Sequence, residues 1–242
     1  MLKVDLHIHT ADDPVDHIPY TTRELIDRAA TLRYDALAIT LHDRQLDLRA
    51  FEAYAANRGI TLIRGIERTI CGKHVLLLNF SDAVEQVTTF DDLARLRARE
   101  AGLVIAPHPF FPAASALNGV LDAHADLFDA VEWSAMFTRA LNFNRAARRW
   151  AARHGKPLVG NGDVHRLYQF GSCYSLVDAD RSPSAICAAI RAGRVVVKAR
   201  PLSTLEAVRT MGDLYLTDLL VRKPSGRDSR IAHPTVAHER AA

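Results

Sequence analysis

The sequence predicts an α/β chain in which strands and helices alternate around a mostly parallel sheet or barrel, and three observations carry that reading. Short runs rich in Val, Ile and Leu recur along most of the 242 residues, several of them apolar throughout, as strands buried on both faces must be. Stretches with apolar residues at helical spacing fill the intervals, and they open on recognisable start signals. A hydrophobic content of 48% supplies a sizeable core and excludes disorder as the dominant state.

The strand candidates are 2–8, 35–40, 60–67, 74–80, 103–107, 129–133, 157–161, 173–178 and 194–198. The first helix is announced by Thr21-Thr22-Arg23-Glu24, a capping box ahead of Leu25, Ile26, Ala29 and Ala30. Thr89 and Asp92 repeat the arrangement before Leu93 and Leu96. Ser182-Pro183 places an N-cap before a proline at the first helical position, and Gly193 stands where a C-terminal stop belongs. Further helical stretches are 46–57, 139–153 and 203–220. One connection breaks the rhythm, because Arg68 to Lys73 is too short for a crossover helix. It predicts a hairpin that brings Glu67 and His74 to the same end of the sheet. Residues 1–221 are read as one barrel domain. Residues 222–242, with Pro, Gly, Ser and mixed charges, are read as a tail that frays.

Charge narrows the function classes. The 31 Lys+Arg against 28 Asp+Glu leave a net charge of +3, so a whole-chain field for polyanions or anionic lipid is not expected. Cys71, Cys173 and Cys187 form neither a CxxC nor an even framework, which argues against a secreted disulfide scaffold. No apolar run is long enough for a bilayer, and the strand at Leu2 leaves no room for a cleaved presequence, so a cytoplasmic protein without membrane contact is expected.

Eleven histidines are the outlier. In Asp5-Leu6-His7-Ile8-His9, two imidazoles at i and i+2 share a strand face and can converge on one cation. His42, Glu67, His108, Asp163 and His165 each end or follow a strand, at the carboxyl rim where α/β barrels collect their reactive groups. His74 joins them through the hairpin. Asp12 or Asp13, close behind His9, adds a carboxylate, with Asp13 favoured. A metal site explains this set better than separate accidents. His124, His154, His233 and His238 fall on helices or the tail and carry no role. Trp150 and Cys71 are assigned to packing, and Trp133 to the pocket wall.

In order along the chain stand Asp-Leu-His-Ile-His-Thr at 5–10, Ala-Ile-Thr-Leu-His-Asp at 38–43, Gly-Ile-Glu at 65–67, His74, Ala-Pro-His-Pro at 106–109 and Gly-Asp-Val-His at 162–165. This set resembles the PHP (polymerase and histidinol phosphatase) family over residues 1–200. The resemblance implies a distorted (β/α)7 barrel with a metal cluster at the C-terminal ends of the strands, two to three divalent ions, and phosphoester hydrolysis. It assigns His7, His9, Glu67 and Asp163 to one ion, Glu67, His74 and His108 to a second, and Asp13, His42 and His165 to a third. Imidazole and carboxylate ligation without thiolate suits Zn, Mn or Fe.

The expected activity is hydrolysis of a small phosphorylated metabolite or nucleotide, a phosphomonoester first, by attack of a metal-bridging hydroxide. A nuclease and an amidohydrolase-type metal hydrolase are the alternatives, and a non-catalytic metal-binding regulator ranks last. Arg44, Arg68, Arg139 and Arg166 follow strand ends closely enough to reach a phosphate, and His17 is a candidate proton donor to the leaving group.

Overall fold

The structure is a computed structural model that describes residues 1–221. The expected tail at 222–242, with His233 and His238, lies outside the described residues. Strands form at β1 (Leu2–Asp5), β2 (Ala36–Ile39), β3 (Thr61–Ile70), β4 (Lys73–Leu78), β5 (Leu103–Ala106), β6 (Ala130–Ser134), β7 (Leu158–Asn161), β8 (Cys173–Val177) and β9 (Val195–Ala199). All nine fall on the expected apolar runs and join one sheet in the order β7-β6-β5-β4-β3-β2-β1-β8-β9. The β1-β2-β3 and β5-β6-β7 groups are parallel, whereas β4 is antiparallel to both neighbours and β8 to β1 and β9.

The sheet curls until its ends nearly meet. Ser175 Oγ on β8 accepts the Gly160 N–H of β7 at 2.8 Å, and a Cβ at Gly160 would stand 2.8 Å from the Tyr174 carbonyl. Only glycine lets the strands approach this closely. The strand count exceeds that of a seven-stranded barrel because β3–β4 and β8–β9 are hairpins, each adding a strand without a crossover helix. The first hairpin turns at Cys71-Gly72, both with positive φ (49° and 75°), as a tight two-residue turn requires. Cys71 is exposed in that turn rather than packed, because the strands run further than the sequence suggested and leave only two residues to reverse the chain.

The helices are α1 (Thr22–Thr31), α2 (Glu52–Ala56), α3 (Phe90–Arg99), α4 (Val120–Ala123), α5 (Asn144–His154), α6 (Pro183–Arg191) and α7 (Thr204–Val221). Both expected capping boxes form, at Thr21/Glu24 and Thr89/Asp92. The helix expected at 46–57 breaks into a 3₁₀ turn, Leu48–Ala50, and the short α2, because the Asp47 side chain accepts the Arg49 N–H and caps a separate turn. The helix expected from 139 starts only at Asn144, since Thr138 Oγ1 and Asn142 Oδ1 accept the Leu141 and Asn144 N–H groups and hold 138–143 as a loop. Among the described residues no helix is long and apolar enough to cross a membrane.

Packing leaves one end of the barrel open. Ile186 and Ile190 of α6 join Leu103, Ala130 and Leu78 in one buried cluster. The first two are the opening residues of β5 and β6, and Leu78 is the last of the antiparallel β4, so α6 covers the amino-terminal end of the parallel strands. Elsewhere α1 packs on β2 and on Ile8 after β1 through Leu25, Ile26 and Ala29, and α3 and α5 pack on β4 to β6 through Leu93, Leu96 and Trp150. The opposite rim is left to the polar residues.

Candidate metal centre

The local fold delivers the rim residues one strand at a time. Beyond β1 the chain stays extended, held by side chains and by one isolated bridge: Asn161 Oδ1 accepts the Leu6 N–H, Thr40 Oγ1 the Ile8 N–H, and Ile8 pairs with Val164. His7 and His9 therefore keep their shared face. His42 follows β2 and pairs through its backbone beside Glu67 of β3. His74, on β4, stands opposite Thr69. His108 and Asp163 follow β5 and β7 at φ of 27° and 46°, left-handed conformations that cost on the order of 1–3 kcal/mol for a residue with a side chain and gather at functional sites.

Glu67 is the hub. Its Oε2 lies 3.2 Å from His7 Nε2, 3.3 Å from His9 Nε2 and 3.2 Å from His42 Nε2, while its Oε1 lies 2.7 Å from His74 Nδ1 and 3.2 Å from His108 Nε2. Asp163 Oδ1 stands 3.5 Å from His7 Nε2, 3.6 Å from His9 Nε2 and 3.5 Å from His165 Nδ1. Neighbouring imidazoles are in ring contact, from 4.4 Å between the His9 and His42 centroids to 6.4 Å between His42 and His165. The ligand atoms group as His7, His9, Glu67; His7, His108, Asp163; His9, Asp163, His165; His9, Asp13, His42; and His42, Glu67, His74.

Burial and charge explain why such a set suits cations. His7 and His9 are fully buried. Burial opposes charging both rings, yet Glu67, Asp163 and Glu132 around His7, and Asp13, Asp163 and Glu67 around His9, hold their pKa values well above the ordinary one. Burial likewise opposes ionising Glu67 and Asp163, and the surrounding imidazoles nevertheless keep both carboxyls well below the usual range. His7 Nε2, His9 Nε2 and His108 Nδ1 are buried without a hydrogen-bond partner. Two of these atoms face carboxylate oxygens at short range without hydrogen-bonding geometry, so the lone pairs aim at space between the groups. Orphaned imidazole nitrogens beside anionic oxygens are a donor set that fits divalent ions.

Three acids escaped the sequence reading. Glu132, fully buried on β6, lies 3.1 Å from His7 Nδ1 and accepts the His108 backbone N–H at 2.6 Å. Its position in an apolar strand was the available signal, since a lone buried acid needs partners. Asp5 accepts the His7 and Gly162 N–H groups, and burial pushes its carboxyl up to about 7. Asp16 Oδ2 lies 2.9 Å from His165 Nε2 and 3.8 Å from His42 Nδ1.

The other expected residues take varied places. Asp13 Oδ2 meets His9 Nδ1 at 2.9 Å, His42 Nδ1 at 3.1 Å and the His42 N–H at 3.0 Å, but does not group with His165. Arg68 donates to Asp43 Oδ1 at 2.6 Å and to the Val87 carbonyl. Exposed Arg44 donates to the Asp12 carbonyl. Arg166 donates to the His165 carbonyl at 2.8 Å and to that of His17, which is itself exposed. Arg139 is exposed in the loop before α5. Trp133 packs edge-on against Phe137, and Trp150 is core.

Comparison with known proteins agrees with this fold. A family model described as PHP-associated matches residues 142–195. No curated protein matches the chain in sequence. Among solved structures, a two-domain protein from Bacteroides vulgatus containing a predicted PHP-like metal-dependent phosphoesterase superposes with a TM-score of 0.65 at 20% identity, covering 88% of this chain and 69% of that one. PsfC from Pseudomonas syringae gives 0.60 at 17% identity, over 90% and 98% of the two chains. A lesion-specific endonuclease from Pyrococcus furiosus gives 0.52 at 16% identity, over 81% of this chain and 57% of its own. At these identities the likeness is one of fold.

Proposed function

We propose, from the premise that this chain is a PHP-family barrel, that it hydrolyses phosphoesters with divalent metal ions as cofactors. The observation that carries the proposal is the convergence of buried, partnerless imidazole nitrogens on Glu67 and Asp163.

His7, His9, Glu67 and Asp163 would hold one ion, and Glu67 with His74 and His108 a second. For a third, His42 and His165 are the imidazoles. Asp13, whose Oδ2 lies against the Nδ1 atoms of His9 and His42, is the expected carboxylate for that ion, and Asp16, whose Oδ2 lies 2.9 Å from His165 Nε2, is a second carboxylate beside the same imidazoles. When bound, such ions activate water at neutral pH and neutralise charge developing on phosphoryl oxygens.

The chain's own residues orient and exclude. Glu132 and Asp13 fix ring orientation through Nδ1. Arg68, committed to Asp43 and Val87, stiffens the base of the hairpin that carries Glu67 and His74 rather than meeting substrate. In this reading Arg44 and Arg166, beside Asp12 and His165, are the cations that would meet a phosphoryl group, and exposed His17 would be the proton donor.

The test is phosphate or nitrophenol release by protein loaded with Zn, Mn or Fe(II), using p-nitrophenyl phosphate, its diester, nucleotides, sugar phosphates and histidinol phosphate. Turnover that is abolished in His9→Ala and Asp163→Ala while the fold is retained supports the proposal. Turnover of amides or lactones alone would move the chain to the amidohydrolase reading. The choice between a small monoester and a strand depends on where the charges lie.

A further inference from the structure

Between Trp133 and Gly162 there is no acidic residue, whereas Arg139, Arg145, Arg148, Arg149, Arg153 and Lys156 all fall there. These six cations exceed the net charge of the whole chain, +3, and leave 25 Lys+Arg against 28 Asp+Glu elsewhere. The near-neutral total therefore hides a strongly one-sided distribution.

The fold lines these charges up. Helix α5 buries Asn144, Ala147, Trp150 and Ala151 against the barrel and turns Arg145, Arg148, Arg149 and Arg153 outward, all exposed. Arg145, Arg149 and Arg153 succeed one another at i, i+4 and i+8, roughly 6 Å apart along one side of the helix. That step is of the order of the distance between successive phosphates in an extended strand. Among the described residues none of the four side chains makes an ion pair or hydrogen bond, unlike Arg58 with Asp27, Arg97 with Asp129 or Arg200 with Glu206. A row of like charges without partners is costly to keep together and is a footprint for a polyanion.

The row starts at the carboxyl rim of the barrel. The Asn144 side chain accepts the Ser134 N–H and donates to the Ser134 carbonyl, which ties the first turn of α5 to the carboxyl end of β6. One narrow crevice, too small to admit a base, is lined jointly by His108, Pro109, Phe111, Phe143 and Asn144, and so joins the amino end of α5 to His108. Phe111 and Phe143 meet edge to face at 5.7 Å, and Phe143 is 37% exposed, so aromatic faces stand between the proposed ligand His108 and the arginine row. Unpaired bases stack on such faces while their phosphates follow cations.

We propose that the outer face of α5, with the exposed Phe143 at its amino end, binds single-stranded nucleic acid and leads its phosphodiester backbone to the metal centre. The proposal rests on the phosphoesterase reading and names its substrate class, a phosphodiester strand in place of the small monoester that whole-chain charge suggested.

The experiment is fluorescence anisotropy of a labelled oligo-dT of about 20 nucleotides titrated with the full-length protein as purified, over roughly 50 to 200 mM salt, the probe length being checked on a gel afterwards. Arg149→Gln/Arg153→Gln is compared with Arg28→Gln/Arg99→Gln, which removes two exposed arginines from the last turns of α1 and α3 and so costs a similar amount in helix ends and net charge. The expected result is salt-dependent binding that the α5 pair weakens about tenfold or more, with a log–log salt slope shallower by about 1.4, while the control pair leaves both unchanged. Absence of binding, equal weakening by both pairs, or binding only to anionic vesicles would overturn it. Because binding is read without turnover, its failure stays distinct from failure of the phosphoesterase reading, which shows as no hydrolysis of small esters.

Discussion

The Glu132 carboxylate lies 3.1 Å from His7 Nδ1 and, through its other oxygen, accepts the His108 backbone N–H at 2.6 Å. One buried acid on β6 thus fixes a ring on the chain after β1 and the backbone of the loop after β5. With Nδ1 facing a carboxylate, the His7 proton belongs on Nδ1 and Nε2 is left for the cluster.

Glu132→Gln keeps the shape and removes the charge, so the ring loses its preferred tautomer but not its packing. The expected effect is a weakening of divalent-ion affinity of about 10- to 100-fold, read by chelator competition, with little change in circular dichroism. Unaltered affinity would leave Glu132 a packing residue.

Metal removal should destabilise the chain, because it exposes the buried acids and imidazoles around Glu67 to one another without a cation. Adding Zn or Mn to chelator-treated protein at about 100 times the dissociation constant contributes about 2.7 kcal/mol, a rise of roughly 5–10 °C in melting temperature for a chain of this size. Differential scanning fluorimetry checks it, and an unchanged midpoint contradicts it.

Gly160→Ala should loosen the closure of the barrel. Its Cβ would stand 2.8 Å from the Tyr174 carbonyl and 2.9 Å from Val197 Cγ1, and backbone cannot yield as a side-chain tip can. A loss of about 1–3 kcal/mol in a denaturant titration is expected. Gly155→Ala tests a different strain, a positive φ of 62° with open space around it.

Thiol labelling should find Cys71 fast and Cys173 and Cys187 slow, since only Cys71 is exposed. Burial pushes the Cys187 thiol from 9.0 up to about 12. The unfolded chain releases this proton at the lower pH, so the thiol's contribution to stability is complete below about pH 9 and is lost as pH rises towards 12. Alkaline denaturation of Cys187→Ala should show a shallower fall across that window than the native chain.

Much of this arrangement was legible in the sequence, for reasons that can be named. The nine strands were readable as short Val-, Ile- and Leu-rich runs, the parallel ones because burial on both faces keeps them apolar, and the Glu67–His74 pairing followed from a connection too short for a helix. The partners of Glu132 were not legible, because a single acid inside Ala-Val-Glu-Trp-Ser says nothing of the histidines that reach it from Asp5-Leu6-His7 and Pro107-His108. Asp12 and Asp13 were not separable and Asp16 was missed, since all three follow His9 in a loop whose path only the fold fixes. The arginine row was spelled out in Asn144 to His154, but net charge averaged it away.

The central claim is that imidazoles and acids from β1 through the loop after β7 hold cations together at one rim. Elemental analysis of protein prepared without chelators tests it most directly. The account predicts about two to three divalent ions per chain, and at least one fewer in Asp163→Ala. A native chain that takes up no Zn, Mn or Fe(II) from an excess, or an Asp163→Ala chain that holds the same number, would contradict it.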